Sequence, residues 1–393
     1  MNSISHKKTD PAFLLSCLLF LCAITEGVRQ ALTGYFTLTL LAFSLLLVRY
    51  NVKIVRSCDR YQLSYLFLMV IGLLSHVVIG VKQNPFQEYV IWSLIIIILS
   101  LYSSYIRFGS NTALVIILLS FYVIECSLSF YERAVGNIII SYEETDFMSI
   151  DEFMEDSNRF RSCALLFHPL LNANVVSIFM GFILVMKNIS KPVKIGLVCL
   201  GALALWGFNS RGVLLVWGVI ILFWSLYRKW NLWIMLSIVV LGFLVLPLAV
   251  DLLIKNDLLG RFGADLFDES SETRLLAFVV FASHNWNIVN IFFGGDIIYM
   301  PTLFSGKELT IENGILLTLG YWGWVVGLFK VFLEVIVSYH CLGSYKVKEK
   351  LIVMMAFWGV AFTNNNSFRP EAFAFFIFAY MLSDSWTYLR MRK

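Results

Sequence analysis

The fold is decided by residues 193–228, which read VKIGLVCLGALALWGFNSRGVLLVWGVIILFWSLYR. The two apolar runs in this stretch, 193–209 and 212–228, each have about the length that a helix needs to cross a bilayer. The polar turn Asn209-Ser210-Arg211-Gly212 joins them, so the pair is predicted to form a tight membrane hairpin. An arginine between two such helices is costly unless it reaches lipid headgroups or binds an anionic ligand.

The composition extends this pattern over the whole chain. Of its 393 residues, 59% are hydrophobic and only 14% are charged, and the mean hydropathy is +0.79. A chain with so few charged residues cannot cover a soluble globule with polar surface, so its solvent is predicted to be membrane lipid. The formal net charge of +4 gives little support to a nucleic-acid partner.

Twelve stretches are long and apolar enough to be predicted as spans. They are 10–27, 31–49, 62–81, 88–106, 111–129, 169–187, 193–209, 212–228, 231–251, 313–337, 351–367 and 371–388. The sequence therefore predicts an all-α polytopic membrane protein in which residues 1–393 form a single integral membrane domain. Of the seven cysteines, only Cys126 and Cys163 could meet outside and form a disulfide.

Basic residues orient these spans. More than half of the 30 Lys and Arg residues fall in alternate short loops and at the two ends of the chain, which places both termini in the cytoplasm. Two long loops then lie outside: residues 131–168, which are acidic, and residues 252–312. No glycine-rich nucleotide-binding motif occurs in the sequence, so ATP-driven transport by this chain alone is not predicted.

Two arginines are positioned to meet a phosphate group outside the membrane. Arg211 lies in the hairpin turn, and Arg274 lies late in the second loop, before a short apolar stretch that is predicted to lie at the interface. A guanidinium group matches two phosphate oxygens at once, so the pair is predicted to clamp a diphosphate. The alternative is that both side chains reach toward lipid headgroups.

Polar residues also mark two later span entrances. Glu312, before Asn313 and Gly314, is either an acid favoured by the helix dipole or a general base at the membrane surface. The turn TNNNSFR, residues 363–369, contains Asn365 and Arg369, which either bind sugar hydroxyls or belong to a solvated hairpin. The sequence has no HExxH motif and no carboxylate cluster at metal spacing, so no metal or other cofactor is predicted.

Together these motifs resemble the O-antigen polymerase and ligase family of bacterial inner membranes. The resemblance rests on Ser210-Arg211-Gly212 before an apolar helix, on Thr273-Arg274-Leu275 in the large loop, and on Glu312-Asn313-Gly314 followed by Leu319-Gly320-Tyr321-Trp322-Gly323. Ligases of this family carry a histidine just before the final asparagine. This chain has Glu312 there, which favours the polymerase branch.

The resemblance implies a C-type glycosyltransferase that needs neither metal nor nucleotide and works in the bacterial inner membrane. It would transfer a growing surface polysaccharide from undecaprenyl diphosphate to the next lipid-linked repeat unit at the periplasmic face. Arg211 and Arg274 would hold the leaving diphosphate and Glu312 would act as base. Asn313, Asn365 and Arg369 would be further substrate contacts, and a chain-length regulator would be a possible protein partner besides membrane lipid.

Three alternatives remain open at this point: a ligase of the same family, a flippase or transporter for the lipid-linked sugar, and a non-catalytic membrane subunit. A flippase would need charged residues deep in the bundle, lining a passage. The candidates are Glu125, Lys330 and Glu334, and each is predicted to lie near the end of a span.

Overall fold

The computed structural model describes residues 60–79, 93, 112–139, 160–166, 169–227, 279, 281–282, 285–294, 299–301, 308–310, 313–343, 345–361 and 370–391. These residues are predominantly helical. The helices are α1 (Arg60–Ile79), α2 (Thr112–Val135), α3 (Pro169–Val185), α4 (Lys191–Gly207), α5 (Arg211–Tyr227), α6 (Ile288–Phe293), α7 (Gly314–Trp322), α8 (Trp324–Cys341), α9 (Val347–Met354), which continues into a π-helical turn (Met355–Gly359), and α10 (Pro370–Met391). Two short strands, β1 (Tyr299–Pro301) and β2 (Glu308–Thr310), pair antiparallel, with Met300 opposite Leu309.

Three of the described helices are long and apolar enough to cross a membrane: Arg60–Val78, Thr112–Val135 and Trp324–Cys341. Pro169–Val185 and Gly212–Trp224 are shorter apolar helices. Large apolar side chains point away from the packed bundle, including Phe67, which is 67% exposed, and Leu215, which is 72% exposed. Outward-facing apolar side chains on apolar helices indicate a membrane protein.

The described helices follow the predicted spans, with two corrections. α2 continues to Val135, so the first residues of the predicted loop 131–168 are still helical. The predicted span 313–337 is not one helix, because the chain breaks at Gly323 between α7 and α8. The predicted spans 10–27, 31–49 and 231–251 lie outside the described residues, as does 88–106 apart from Ser93.

α3 is the centre of the described bundle. All of its residues except Leu170 are buried, because α2, α4, α5, α10 and the π-helical turn pack around it. Phe179 stacks on Tyr122 of α2 with ring centroids 5.8 Å apart. Phe182 meets Phe376 of α10 edge-on at 5.3 Å. A helix enclosed on every side has no solvated face, which explains why most of its residues are apolar and why no charged residue occurs in it.

The helices of this bundle share two ends. The Asn209 end, as we name it, contains the C-termini of α2 and α4 and the N-termini of α3 and α5. The opposite Asn188 end contains the C-terminus of α3 and the N-terminus of α4. There the Lys194 ammonium donates to the carbonyl oxygens of Leu184 and Met186 over 2.9 and 2.8 Å. These bonds satisfy carbonyl groups that a helix C-terminus leaves unpaired.

Candidate functional site

The turn that carries the arginine is held in a specific backbone shape. Asn209 adopts a positive φ of 52°, a conformation that asparagine tolerates better than most residues. Its N–H donates to the carbonyl of Trp206 over 2.9 Å. α5 then begins at Arg211, whose side chain lies outside the described atoms. Asn209 and Ser210 are both buried, so this turn is packed into the protein and does not form a solvated loop.

The last part of the first long loop closes against this turn. We call residues 160–166 the closing segment. The N–H of Ser162 donates to the carbonyl of Gly207 over 3.1 Å. Arg133, in the last turn of α2, donates to the carbonyl of Phe160 over 2.6 Å and stacks on Trp206 with its guanidinium carbon 5.3 Å from the ring centroid. The closing segment, α2 and α4 therefore form one packed unit at the Asn209 end.

Glu132 organises the closing segment. One carboxylate oxygen, Oε2, accepts hydrogen bonds from the Ser162 hydroxyl at 2.6 Å and from the N–H groups of Cys163 and Ala164, each at 3.0 Å. The other oxygen accepts from the N–H of Ile139 at 3.1 Å. Ala164 has a positive φ of 37°, a conformation that is costly for alanine. The bonds to Glu132 stabilise the segment in that conformation.

Glu125 lies two turns earlier on the same face of α2, because seven residues make about two helical turns. It is 0% exposed. Its Oε2 accepts from the N–H of Leu165 over 3.1 Å, while its Oε1 is buried and has no hydrogen-bond partner among the described residues. Asn172, in the first turns of α3, donates through Nδ2 to the carbonyl of Cys163, and its Oδ1 is likewise buried without a described partner.

Asn313 begins α7 as its N-cap. Its side-chain oxygen accepts from the N–H groups of Ile315 and Leu316 over 3.0 and 3.1 Å. The cap position after the large loop is therefore held by Asn313, one residue after the predicted base, Glu312. The predicted contact between Asn313 and substrate would have to use its Nδ2, since Oδ1 is already engaged. Glu312, Arg274, Asn365 and Arg369 lie outside the described residues.

A buried ion pair lies in α8. The Lys330 ammonium donates to Oε1 of Glu334 over 2.6 Å, and both side chains are 1% exposed. The Tyr65 hydroxyl of α1 donates to the same oxygen over 2.8 Å, and the Lys330 ammonium lies 5.2 Å from the Trp322 ring centroid. The expectation that these charges lie near a span end is wrong, because the break at Gly323 makes Trp324–Cys341 the candidate span and puts both residues in its middle.

The break between α7 and α8 is fixed by a close backbone crossing. Gly323 has φ 86° and ψ 160°, and a Cβ atom there would lie 2.5 Å from the backbone nitrogen of Gly294, at the end of α6. His76 of α1 lies beside the same corner, and its Nε2 is 2.6 Å from the carbonyl oxygen of Phe293. α7 then turns back against α8, with Gly327 close to the backbone of Thr318.

The structure thus brings the Arg211 turn together with residues that sequence reasoning did not place there. Glu132 was missed, although its spacing of seven from Glu125 puts two acids on one face of an apolar helix. Asn172 was also missed, because a single amide near a helix start has many ordinary roles. Cys126 and Cys163 are both free thiols, so the disulfide considered for them does not form.

Comparison with known proteins adds no family assignment. The chain matches no protein-family model, and no curated protein matches it. Among the described residues, no group of three or more His, Cys, Asp or Glu side chains could hold a metal ion. The likeness to the O-antigen polymerase and ligase family therefore rests on the short motifs at residues 210–212, 273–275, 312–314 and 319–323.

Proposed function

We propose that this chain is an inner-membrane glycosyltransferase that polymerises lipid-linked surface polysaccharide. In this proposal twelve helices span the membrane, both termini are cytoplasmic, and the loops 131–168 and 252–312 are periplasmic. The growing chain leaves undecaprenyl diphosphate when a hydroxyl group of the next lipid-linked unit attacks its anomeric carbon. The diphosphate is an activated leaving group already, so the reaction needs no nucleotide.

The reaction makes two demands on the protein. Positive charge must stabilise the departing diphosphate, which is often the largest catalytic contribution. A base must accept the proton of the attacking hydroxyl, which contributes about 10²–10⁴-fold in typical enzymes. We assign the first role to Arg211 and Arg274, with Arg369 as a further phosphate contact, and the second to Glu312. Asn313 and Asn365 contact the sugar.

The observation that supports this proposal best is the position of Arg211 at the first residue of α5. A helix N-terminus presents unpaired N–H groups and a partial positive charge, and it binds phosphate readily. Arg211 also carries a fixed positive charge in its sequence, which is the charge this proposal assigns to the phosphate. The buried turn and the closing segment hold the start of α5 in place, so an anion bound there would meet a rigid site.

The test is synthesis of polymer by purified protein supplied with lipid-linked repeat units alone. Wild-type protein should produce a ladder of products, and Arg211→Ala should lower the rate by about 10²-fold or more, because a charged contact to the leaving group is lost. Arg60 is a matched control, since it is the first residue of α1 and is exposed. Arg60→Ala should keep the wild-type rate.

Two outcomes would count against the proposal. Equal rates for Arg211→Ala and wild type would remove Arg211 from the mechanism. Failure of the wild-type protein to form any ladder, with the protein intact in detergent, would remove the enzyme proposal itself and leave a membrane protein of another class.

The buried ion pair favours a flippase as the second candidate. Charged residues in the middle of a span often mark transport pathways. Lys330 and Glu334 lie in the middle of the candidate span Trp324–Cys341. The chain break between α7 and α8 precedes this span, and transporters often contain broken helices. The same purified protein in liposomes separates the two functions. A flippase moves lipid-linked sugar between leaflets without forming a ladder, whereas a polymerase forms the ladder when substrate is present on one side only.

A further inference from the structure

Glu132 lies close to the end of α2, but none of the donors that it meets in the described structure belongs to that helix. Three of them belong to the closing segment: the hydroxyl of Ser162 and the N–H groups of Cys163 and Ala164. The fourth is the N–H of Ile139, after the end of α2. Burying a carboxylate is costly unless donors meet it, and Glu132 is 0% exposed. What its contacts hold is therefore the closing segment.

The closing segment continues these contacts to the turn before α5. Ser162 donates its hydroxyl to Glu132 over 2.6 Å, and its N–H donates to the carbonyl of Gly207, the last residue of α4, over 3.1 Å. The carbonyl of Phe160 accepts a longer hydrogen bond, of 3.5 Å, from Nδ2 of Asn209. Hydrogen bonds therefore lead from Glu132, through the closing segment, to the short stretch of chain that joins α4 to α5.

Two residues along this path have backbone conformations that need support. Ala164 has φ 37° and Asn209 has φ 52°, and residues other than glycine keep such values where the surrounding structure holds them. Glu132 binds the N–H of Ala164 directly. Because α5 begins at Arg211, just after Asn209, release of the closing segment would let the start of α5 move. Misplacement of a catalytic group by about 1 Å costs up to about 10²-fold in rate.

We infer that Glu132 is a positioning residue for Arg211. It touches no substrate, because it is fully buried and its oxygens are engaged with the protein, and it acts through the closing segment. The inference rests on the proposed function, in which Arg211 stabilises the departing diphosphate. A charged group stabilises a leaving group best when it is already in place as the new charge develops. Loss of the contacts of Glu132 should therefore lower kcat more than it raises KM.

The experiment compares polymerisation by purified full-length proteins supplied with lipid-linked repeat units. Glu132→Gln keeps the size of the side chain but has one acceptor oxygen, so it cannot accept from the donors on both sides. It should lower kcat by about tenfold and change KM by less than about twofold. Ser129→Ala is the matched control and should keep the wild-type kcat. Ser129 also lies on α2 and donates to Ala204 of α4, with no described hydrogen bond to the closing segment.

A double-mutant cycle with Arg211→Ala separates positioning from a general structural role. If Glu132 acts through Arg211, Glu132→Gln should add less than about twofold to the loss of kcat already present in Arg211→Ala, whereas independent effects would multiply. A loss of about tenfold in both backgrounds would overturn the inference and leave Glu132 with a structural role alone. Equal kcat for Glu132→Gln and wild type would overturn it as well.

Hydrogen exchange tests the structural step without an assay of activity. In Glu132→Gln, the amide N–H groups of residues 160–166 and 207–214 should exchange about tenfold faster than in wild type, while those of residues 60–79 in α1 should not change. Unchanged exchange at residues 207–214 would overturn the inference, because Glu132 would not then hold the start of α5.

Two further arrangements keep the test decisive. Ser162→Ala removes only the hydroxyl contact to Glu132, and it takes the place of Glu132→Gln in every measurement if that variant does not fold. If wild-type protein formed no ladder, the proposed function would fail, and exchange at residues 207–214 would still decide whether Glu132 holds the start of α5.

Discussion

At the scale of single residues, polar groups inside this apolar chain are handled in two different ways. Glu132 is surrounded by four donors, so its charge is fully solvated by the protein itself. Glu334 relies on one cation and one hydroxyl group. Desolvation of both partners offsets much of the attraction in a buried ion pair, so this pair is expected to add little net stability. The pair lies within α8, and its described hydrogen bond to α1 is the one that Tyr65 donates to Glu334.

A double-mutant cycle tests this view of the ion pair. Lys330→Met or Glu334→Leu alone leaves one buried charge without its partner, so each is expected to lower the free energy of unfolding by about 3–5 kcal/mol. The double variant has no uncompensated charge and should be close to wild type. Unfolding in mixed micelles with increasing dodecyl sulfate measures all four proteins.

Ser129→Ala is the control, because it removes a single buried hydrogen bond and no charge. In the described structure Ser129 donates only to the carbonyl of Ala204. Its loss should cost about 0.5–1.5 kcal/mol. If the two ion-pair substitutions were simply additive, the charges would not be coupled and the argument from desolvation would be wrong.

At the scale of helices, the sequence predicts where apolar segments lie better than where they break. The apolar run 313–337 contains Gly320, Gly323 and Gly327, and a glycine in a helix is tolerated often enough that none of them marks a break on its own. Gly323 breaks the helix because Gly294, about thirty residues earlier in the chain, packs against it. A contact so distant in sequence leaves no local pattern.

The same limit applies to the candidate site. The polar turn at Arg211 could be found from the sequence because it interrupts two long apolar runs. The hydrogen bonds of Glu132 and Asn172 with residues 162–164 could not be predicted from the sequence, because they depend on how the end of the first loop folds back over α2 and α3. Hydrophobic pattern predicts helices, whereas polar contacts between helices depend on tertiary packing.

The glycine crossing gives a prediction at this scale. Gly323→Ala places a Cβ against the backbone of α6, in a backbone conformation that only glycine adopts readily, so it should destabilise the protein by about 3 kcal/mol or more. Gly218 of α5 is the matched control, because a Cβ there would meet nothing within 4 Å. Gly218→Ala should be neutral or stabilising by up to about 1 kcal/mol.

Thermal melts in detergent measure both glycine variants. If Gly323→Ala melted like wild type, the close approach of α6 to the corner between α7 and α8 would be wrong, and the continuous span 313–337 would return as the better description. A large loss in Gly218→Ala would instead show that α5 packs on that face against another part of the chain.

At the scale of the whole molecule, the described packing fixes which helix termini share an end, and the basic residues predict which end is cytoplasmic. Helices α2 to α5 alternate in direction, which places residues 136–139 near the Asn209 end and residues 187–190 at the Asn188 end. The distribution of basic residues predicts that the Asn188 end is cytoplasmic. The proposed enzyme depends on this assignment, because its substrates meet Arg211 at the periplasmic face.

Two exposed positions test the orientation. Asn137 follows α2 at the Asn209 end and Ser190 precedes α4 at the Asn188 end, and both side chains are exposed. A membrane-impermeant maleimide added to intact cells should label Asn137→Cys well above the wild-type background from the native cysteines. Ser190→Cys should react only after the membrane is permeabilised. The reverse pattern would place Arg211 in the cytoplasm, where a polymerase of periplasmic lipid-linked units could not use it. Labelling of both positions in intact cells would show that this bundle does not cross the membrane as proposed.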